Sequence, residues 1–317
     1  MSLDEIAWSE ADLAIPDLRA EPRREEPGRE VRSGRRAEDA RSATARRPGD
    51  LTDGAEQAVA AAAPGAVSCV AFQGVGGGAG VTSLAVGVSQ ALAERGGGVC
   101  LVDLDFELGA CASYLDVEPG ARLEDFRVEP GRVDATFARA LLVEHPGGVH
   151  VLAVEPEAGE ANPHTVLAVL DALSDLFGTL VLDVPRRGSP WTEAVLRAAD
   201  RTVLVSELHI PALHRARGRL EALGAKADVV LNKYERRSFK ASLRRADAGK
   251  ALGRDVLGVV AVDPHTSAEC INCGEPVGRL SPDGRLGRDV AALAEALVPA
   301  KAKRGARGSA RGAARGR

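Results

Sequence analysis

The feature that most constrains the fold is a regular alternation of short apolar segments with segments of helical spacing. Segments that fit strands cover residues 67–72, 99–102, 149–154, 179–184, 202–206, 228–232 and 256–262. Segments that fit helices cover residues 82–95, 135–143, 164–177, 191–199, 211–223, 239–252 and 287–298. Strands that are apolar throughout and separated by helices predict an α/β fold, a three-layer sandwich whose mostly parallel sheet is covered on both faces.

The two ends of the chain differ from this middle part. Residues 1–66 carry ten Arg and fourteen Asp and Glu, whereas residues 299–317 carry seven Lys and Arg and no acid. Segments of this kind bury too little apolar surface to offset the entropy lost on ordering. We therefore predict a disordered charged segment over 1–66, one folded domain over 67–298 and a disordered basic tail over 299–317.

Composition excludes several classes of protein. No apolar run approaches the length of a membrane-spanning helix, and acidic residues stand where a signal peptide would need a basic start. The five cysteines are an odd number and fit a reducing compartment, so we expect a cytoplasmic protein. Aromatic residues make up 3% of the chain, which argues against stacking platforms for single-stranded nucleic acid.

A glycine-rich loop follows the first predicted strand. Residues 74–83 read G-V-G-G-G-A-G-V-T-S and lead into the first predicted helix. A phosphate-binding loop needs glycines so that backbone N–H groups can wrap an anion in front of a helix N-terminus. Of the strict pattern G-x-x-x-x-G-K-[ST], only Gly80 and Thr82 are present, and Val81 replaces the lysine. A plain glycine-rich turn is therefore the alternative interpretation.

Carboxylates follow two of the predicted strands. Asp103 and Asp105 end the second strand, and Asp183 lies at the end of the segment 179–184. Ligands of parallel α/β sheets bind at the carboxyl ends of the strands. A D-x-D pair there suits Mg²⁺-bound water or an attacking water, and Asp183 suits a Mg²⁺ ligand acting through water. Each acid could instead cap the next helix, but the combination with the glycine loop favours a functional site.

Further motifs support a family resemblance. Together with the glycine loop, they are V-D-L-D-F-E-L-G (102–109), L-D-V-P-R-R-G-S-P-W-T (182–192), V-L-N-K-Y (230–234) and D-P-x-x-x-A-E-x-x-N-x-G-E-P-V (263–277). On these motifs, residues 67–298 resemble the CpaE/TadZ branch of the MinD/ParA group of P-loop ATPases. The resemblance is closest to the actinobacterial CpaE-like or septum-site-determining (Ssd) proteins found beside Flp/Tad secretion genes.

The resemblance implies a role for each matching residue. In this family the loop wraps the phosphates of ATP, Mg²⁺ is held between the loop and the acids, and a late asparagine contacts adenine. The resemblance assigns phosphate binding to Gly77, Gly78, Gly80 and Ser83, Mg²⁺ binding to Thr82, Asp103 and Asp183, adenine contact to Asn232, and catalysis, if the protein is active, to Asp105.

The loop departs from the family at both lysines. The family pattern is K-G-G-x-G-K-T-T, and the lysine positions are Gly76 and Val81 in this chain. The resemblance thus implies weakened binding of ATP and Mg²⁺ and weak or absent ATP hydrolysis. Arg186 and Arg187 could supply substitute charge, or they could be solvated or bind a partner. The family's receiver-like N-terminal domain is not expected, since residues 1–66 are too short and polar.

Three functions fit these observations. The first is a localisation or scaffold protein for Flp/Tad pilus or secretion assembly, or for septum placement, acting in the cytoplasm and peripherally at the inner membrane face or cell pole. The second is a slow ATPase that cycles between monomer and ATP-sandwich homodimer. The third is a DNA-binding partition protein that uses the basic tail, which could equally contact anionic lipid or remain a solubilising segment. Pilus, secretion or division proteins are the expected partners.

A CxxC pair, Cys270 and Cys273, follows His265. Structural zinc takes four ligands, and the chain has no second CxxC. We therefore predict no zinc and two buried thiols, with a site shared across a dimer as the alternative. Cys69, Cys100 and Cys111 fit small core residues.

Overall fold

The computed structural model describes residues 68–187, 189–235 and 243–298. The strands are β1 (Ser68–Gly74), β2 (Val99–Asp103), β3 (Leu142–Glu144), β4 (Val149–Leu152), β5 (Thr179–Val184), β6 (Arg201–Ser206), β7 (Ala227–Tyr234) and β8 (Gly258–Ala261). The helices are α1 (Val81–Ala93), α2 (Cys111–Tyr114), α3 (Ala135–Ala140), α4 (Pro163–Leu176), α5 (Pro190–Ala198), α6 (Ile210–Leu223), α7 (Arg245–Leu252), α8 (Pro264–Cys273), α9 (Val277–Leu280) and α10 (Arg285–Leu297). The predicted terminal segments 1–66 and 299–317 lie outside the described residues.

The strands form one sheet in the order β3-β4-β2-β5-β1-β6-β7-β8. All neighbouring strands pair in parallel except β3 and β4, which are antiparallel. This confirms the predicted mostly parallel α/β sheet. Because the strands β1, β2, β5, β6 and β7 run in the same direction, their carboxyl ends meet at one edge, where a ligand of this fold binds.

Alternation along the central strands divides the core between the two faces of the sheet. In β1, Val70 packs with α1 and α10, whereas the next residue, Ala71, packs with α4 and α5. In β5, Val181 and Leu182 divide in the same way. Successive side chains of a strand point to opposite faces, so a strand buried on both sides must be apolar throughout. The two helical layers hold β1 and β5, and with them the loops that follow, in fixed positions.

The predicted helix 135–143 is too long. Helix α3 ends at Ala140, and residues 142–144 form the short antiparallel edge strand β3. Asp134 caps the start of the helix, accepting a hydrogen bond from the Phe137 N–H at 2.7 Å. Leu142 and Val143 pair with β4 and complete the sheet. The apolar spacing typical of a helix continues by chance into residues 142 and 143. Their pairing with β4 makes them part of a strand instead.

Helix α8 was not predicted. Asp263 accepts a hydrogen bond from the Thr266 N–H at 3.0 Å, Pro264 occupies the first turn, and Gly274 ends the helix at φ 65°. An acidic cap followed by proline, with a glycine after the last turn, is a recognised helix signal. The apolar residues of α8 follow the helical period only weakly, so their spacing did not indicate a helix.

Two other predicted boundaries also differ. The predicted helix 239–252 corresponds to α7, which begins at Arg245, and residues 236–242 lie outside the described residues. The predicted strand 256–262 is shorter and corresponds to β8. Within the described ranges, no helix combines the length and the apolar character that crossing a bilayer requires.

Candidate functional site

The glycine loop joins the end of β1 to the start of α1. Gly78 and Gly80 adopt positive φ angles of 70° and 86°. A side chain at Gly80 would also collide with the amide nitrogen of Asn232, whereas Gly77 has open space around it. No side chain caps the N-terminus of α1, so its first N–H groups are left for another acceptor. This geometry suits an anion held in front of the helix.

The sequence-predicted acids meet beside this loop. Asp103 of β2 lies directly opposite Asp183 of β5 in the strand register. The Thr82 hydroxyl, in the first turn of α1, donates a hydrogen bond to Asp183 Oδ2 at 2.6 Å. Asp103 accepts hydrogen bonds from the N–H groups of Asp105 and Cys111 at 3.1 and 3.0 Å. Residues predicted from separate motifs therefore form one site.

Both strand-end acids, Asp103 and Asp183, are buried, and burial disfavours their charged forms. Burial raises the pKa of Asp103, and burial together with the charge of Asp103 raises the pKa of Asp183 to about 7. No Lys or Arg in the part of the chain that the structure describes forms an ion pair with either acid. A pair of buried carboxylates of this kind is stabilised by a bound cation.

The ligand atoms fit Mg²⁺ by their chemistry. One oxygen each of Asp103 and Asp183 and the Cys111 sulfur lie within 4.8 Å of one another. Mg²⁺ prefers oxygen ligands, so the two carboxylates and the adjacent Thr82 hydroxyl fit it and the thiol does not. Cys111 is buried, and its sulfur lies 3.6 Å from Asp183 Oδ2. Its proximity to the acids was not apparent from the sequence, because α2 comes from a loop with no motif of its own.

A pocket of about 390 Å³ lies over the glycine loop and the acids. Its lining includes Thr82, Ser83, Asp105 and the half-buried residue Val81. The Asp105 carboxylate accepts a hydrogen bond from the Leu108 N–H at 3.1 Å. The residue at the position of the family lysine is thus apolar and lines this pocket.

Cations reach this pocket from other parts of the chain. Arg186 lines the pocket and is exposed, while the neighbouring Arg187 is exposed and lies outside the lining. Lys233, at the end of β7, lines the pocket and donates a hydrogen bond from Nζ to the Gly78 carbonyl at 2.6 Å. Sequence reasoning missed Lys233, although it directly follows the asparagine that the V-L-N-K-Y motif singled out.

Arg215 of α6 contacts the other lysine position. Its Nε donates a hydrogen bond to the Val75 carbonyl at 2.7 Å. A Cβ on Gly76 would lie 3.2 Å from Arg215 Nη2. The guanidinium therefore occupies the space beside Gly76, and it supports the back of the loop. No sequence motif indicated this contact.

Asn232 holds the loop and borders a second cavity. Its side-chain amide donates a hydrogen bond to the Ala79 carbonyl at 2.8 Å. The second cavity has a volume of about 190 Å³ and lies between α1, α8 and α10, with Ser83, Asn232 and Lys233 in its lining. The two pockets adjoin at the loop. This arrangement has room for an anionic group in the first pocket and an apolar ring in the second.

The CxxC pair lies on α8. Cys270 is half-buried and lines the second cavity, but Cys273 is exposed, so the prediction of two buried thiols was wrong. Only one turn of helix separates the two cysteines, and just one of them faces the core. His265 is exposed and lies 3.9 Å from Glu269. Within the described ranges, Asp103, Cys111 and Asp183 are the one group of three or more His, Cys, Asp or Glu side chains placed closely enough to hold a metal ion. Of the other cysteines, Cys100 and Cys111 are buried as predicted and Cys69 is half-buried.

Solved structures of known proteins share this fold. A ParA family ATPase from Chlorobium tepidum TLS is 17% identical, with a TM-score of 0.65 over 74% of this chain and 98% of its own. MinD of Pyrococcus horikoshii OT3, a septum-site-determining protein complexed with Mg-ADP, is 21% identical, with a TM-score of 0.60 over 72% and 95%. MinD in the MinC:MinD complex of Aquifex aeolicus is 19% identical, with a TM-score of 0.60 over 74% and 99%. At these identities the likeness shows the fold.

The sequence itself gives the family. No curated protein sequence matches the chain. Residues 70–273 match the model of the CobQ/CobB/MinD/ParA nucleotide binding domain, which covers more than half of the chain. That range includes the glycine loop, both strand-end acids and Asn232. The chain therefore belongs to the CobQ/CobB/MinD/ParA family of nucleotide-binding domains.

Proposed function

We propose that this protein is a localisation or scaffold protein of the CpaE/TadZ-like branch, close to the actinobacterial septum-site-determining proteins. It recruits components of Flp/Tad-type pilus or secretion assembly, or of septum placement, and it uses its nucleotide site as a weak switch. One observation carries the proposal. Thr82 and the two strand-end acids lie together in the site, whereas the pocket residue at position 81 is a valine and not a lysine.

The missing lysines weaken nucleotide binding in this proposal. A charge-assisted hydrogen bond contributes about 1.5–3 kcal/mol, which corresponds to roughly tenfold to a hundredfold in affinity. Hydrolysis loses more, because a cation aimed at the phosphates stabilises the charge that develops in the transition state. We therefore expect weak binding of ATP and turnover that is slow or absent.

Mg²⁺ has a place in this proposal. Thr82, Asp103 and Asp183 would hold it, and when bound it would neutralise charge on the phosphate oxygens. Asp105, which lines the same pocket, would orient an attacking water if turnover occurs. Gly77, Gly78, Gly80 and Ser83 would enclose the phosphates, and Asn232 would contact the adenine.

Two structural relatives support a proposed role in positioning cellular components and in recruiting a protein partner. One relative is a septum-site-determining protein, and another was solved in complex with the cell division protein MinC. We propose that this chain likewise acts through a protein partner from a division, pilus or secretion system, and that it forms a homodimer. The basic tail 299–317 would add electrostatic attraction to an anionic surface at the inner membrane face or cell pole.

The biochemical test is Mg-ATP binding and turnover by the purified full-length protein, with Asp105→Ala as the control. We expect weak binding in a calorimetric titration and phosphate release no faster than in Asp105→Ala. Sustained turnover that the substitution abolishes would contradict the scaffold proposal and favour the slow ATPase.

The cellular test follows the protein as a fluorescent fusion in its native host. We expect a focus at the pole or septum that persists in Asp105→Ala, because the scaffold does not depend on hydrolysis. A uniform cytoplasmic distribution of the wild-type fusion would contradict the proposal.

A further inference from the structure

The end of β7 breaks the alternation of a regular strand. Asn232 and Lys233 are consecutive, yet both reach the glycine loop, where their side chains donate to the carbonyls of Ala79 and Gly78 at 2.8 and 2.6 Å. In a regular strand, consecutive side chains point to opposite faces of the sheet. Only one of these residues should therefore reach the loop.

A bulge explains the exception. The pairing of β7 with β8 shifts register between Leu231 and Tyr234, and Lys233 has a φ of 54°. Bulges bend a strand and redirect its side chains, and they are frequent beside functional sites. Among the described residues, Asp116 is the one other non-glycine residue with a positive φ. Lysine has no intrinsic preference for this backbone conformation, so the conformation is maintained by its surroundings.

We propose that Lys233 supplies the phosphate-binding cation of this site, in place of the lysine that is absent at position 81. Its ligand is the diphosphate or triphosphate group of a nucleotide, so the inference rests on the proposed function. Lys233 lines the phosphate pocket together with Thr82 and Ser83. Its side chain is 46% exposed, which leaves Nζ room to turn from the Gly78 carbonyl towards a bound anion.

Glu207 forms an ion pair with Lys233. Its carboxylate lies 2.9 Å from Lys233 Nζ, in an ion pair at the ends of β6 and β7. A phosphate must compete with this carboxylate for the ammonium group. Removing the charge of Glu207 should therefore strengthen phosphate binding, and this expectation distinguishes a mobile cation from a fixed structural one.

Two other cations near the loop, Arg215 and Arg186, are less suitable as phosphate-binding groups. Arg215 uses its Nε on the Val75 carbonyl and lies outside the pocket lining. Arg186 lines the pocket, but the side-chain hydrogen bonds to the loop carbonyls in the described part of the chain come from Arg215, Asn232 and Lys233. Among the Lys and Arg residues that the structure describes, Lys233 alone combines contact with the loop and a place in the pocket.

The experiment is a calorimetric titration of the full-length protein with Mg-ADP and, separately, with pyrophosphate. We expect Lys233→Met to weaken both ligands by about tenfold to a hundredfold. Lys233→Arg should restore most of the affinity, and Glu207→Gln should tighten binding by a few fold. The matched control is Arg187→Met, a neighbouring exposed cation outside the pocket, which should leave binding unchanged. Thermal unfolding of each variant checks that the domain remains folded.

Each outcome decides the matter. Wild-type binding with undiminished binding by Lys233→Met would overturn the inference and leave the proposed function intact. Loss of binding in Lys233→Met that Lys233→Arg does not restore would also overturn it, because the lysine would then be a structural latch for the loop. A wild-type protein that binds neither probe would overturn both the inference and the nucleotide switch in the proposed function.

Discussion

Replacing Val81 with lysine tests the electrostatic argument directly. Val81 begins α1, is half-buried and lines the pocket over the glycine loop. Its side chain packs against Gly74: a Cβ built on Gly74 would lie 2.9 Å from Val81 Cγ2. Because Val81 lines the pocket, we expect a lysine at this position to place its ammonium group there.

The expected gain follows from one new charge-assisted contact. Such a contact contributes about 1.5–3 kcal/mol, so Val81→Lys should lower the Kd for Mg-ADP and Mg-ATP by roughly tenfold to a hundredfold. The same substitution at Gly76 should not help, because a side chain there meets the Arg215 guanidinium. A lysine there would also bring a second positive charge near the guanidinium, and like charges repel each other. The two positions therefore give opposite expectations within a single loop.

Calorimetric titration of the full-length variants measures the effect, and a phosphate-release assay shows whether turnover follows. Val81→Met is the matched control, since it has a similar length without the charge, and its affinity should stay within about threefold of the wild type. If folded Val81→Lys binds Mg-ADP no better than Val81→Met, the absence of a lysine does not limit this site, and the reasoning fails.

Two further predictions concern stability. Gly80→Ala should lower the free energy of unfolding by about 1–3 kcal/mol, because alanine is strained at φ 86° and its Cβ collides with Asn232; Gly77→Ala, in open space, should change it by less than about 0.5 kcal/mol in the same urea titration. The raised pKa of Asp183, about 7, means that the native state binds more protons than the unfolded state, so stability without Mg²⁺ should fall as pH rises from about 4 to about 7, by at most about 4 kcal/mol. Urea unfolding in a chelator at about pH 5 and about pH 8 measures this loss, and an equal loss in Asp183→Asn would disprove its assignment to that carboxyl.

Local patterns in the sequence sufficed for the parallel sheet and for the meeting of its acids. Uninterrupted apolar strands require burial on both faces, and parallel strands bring Asp103 and Asp183 to one edge whatever the loops do. The role of Lys233 could not be predicted in this way, because strict alternation would turn it away from a loop that Asn232 reaches. The bulge that redirects it depends on pairing with β8, which lies far along the chain. The strand β3 depends on its antiparallel pairing with β4, which the helical spacing did not indicate. Contacts between distant segments decide the positions of Arg215 and Cys111.

The hydrogen bond between Thr82 and Asp183 joins the phosphate loop to the acid of a neighbouring strand. A cation held by the Thr82 hydroxyl and Asp183 would compete with this hydrogen bond for the lone pairs of the two oxygens. Its binding would then change how the start of α1 is tethered, and an anion at the same helix end would change the affinity for the cation. Each ligand must then alter the affinity for the other by the same factor. Through this one hydroxyl, the loop and the acids respond to their two ligands as a single unit.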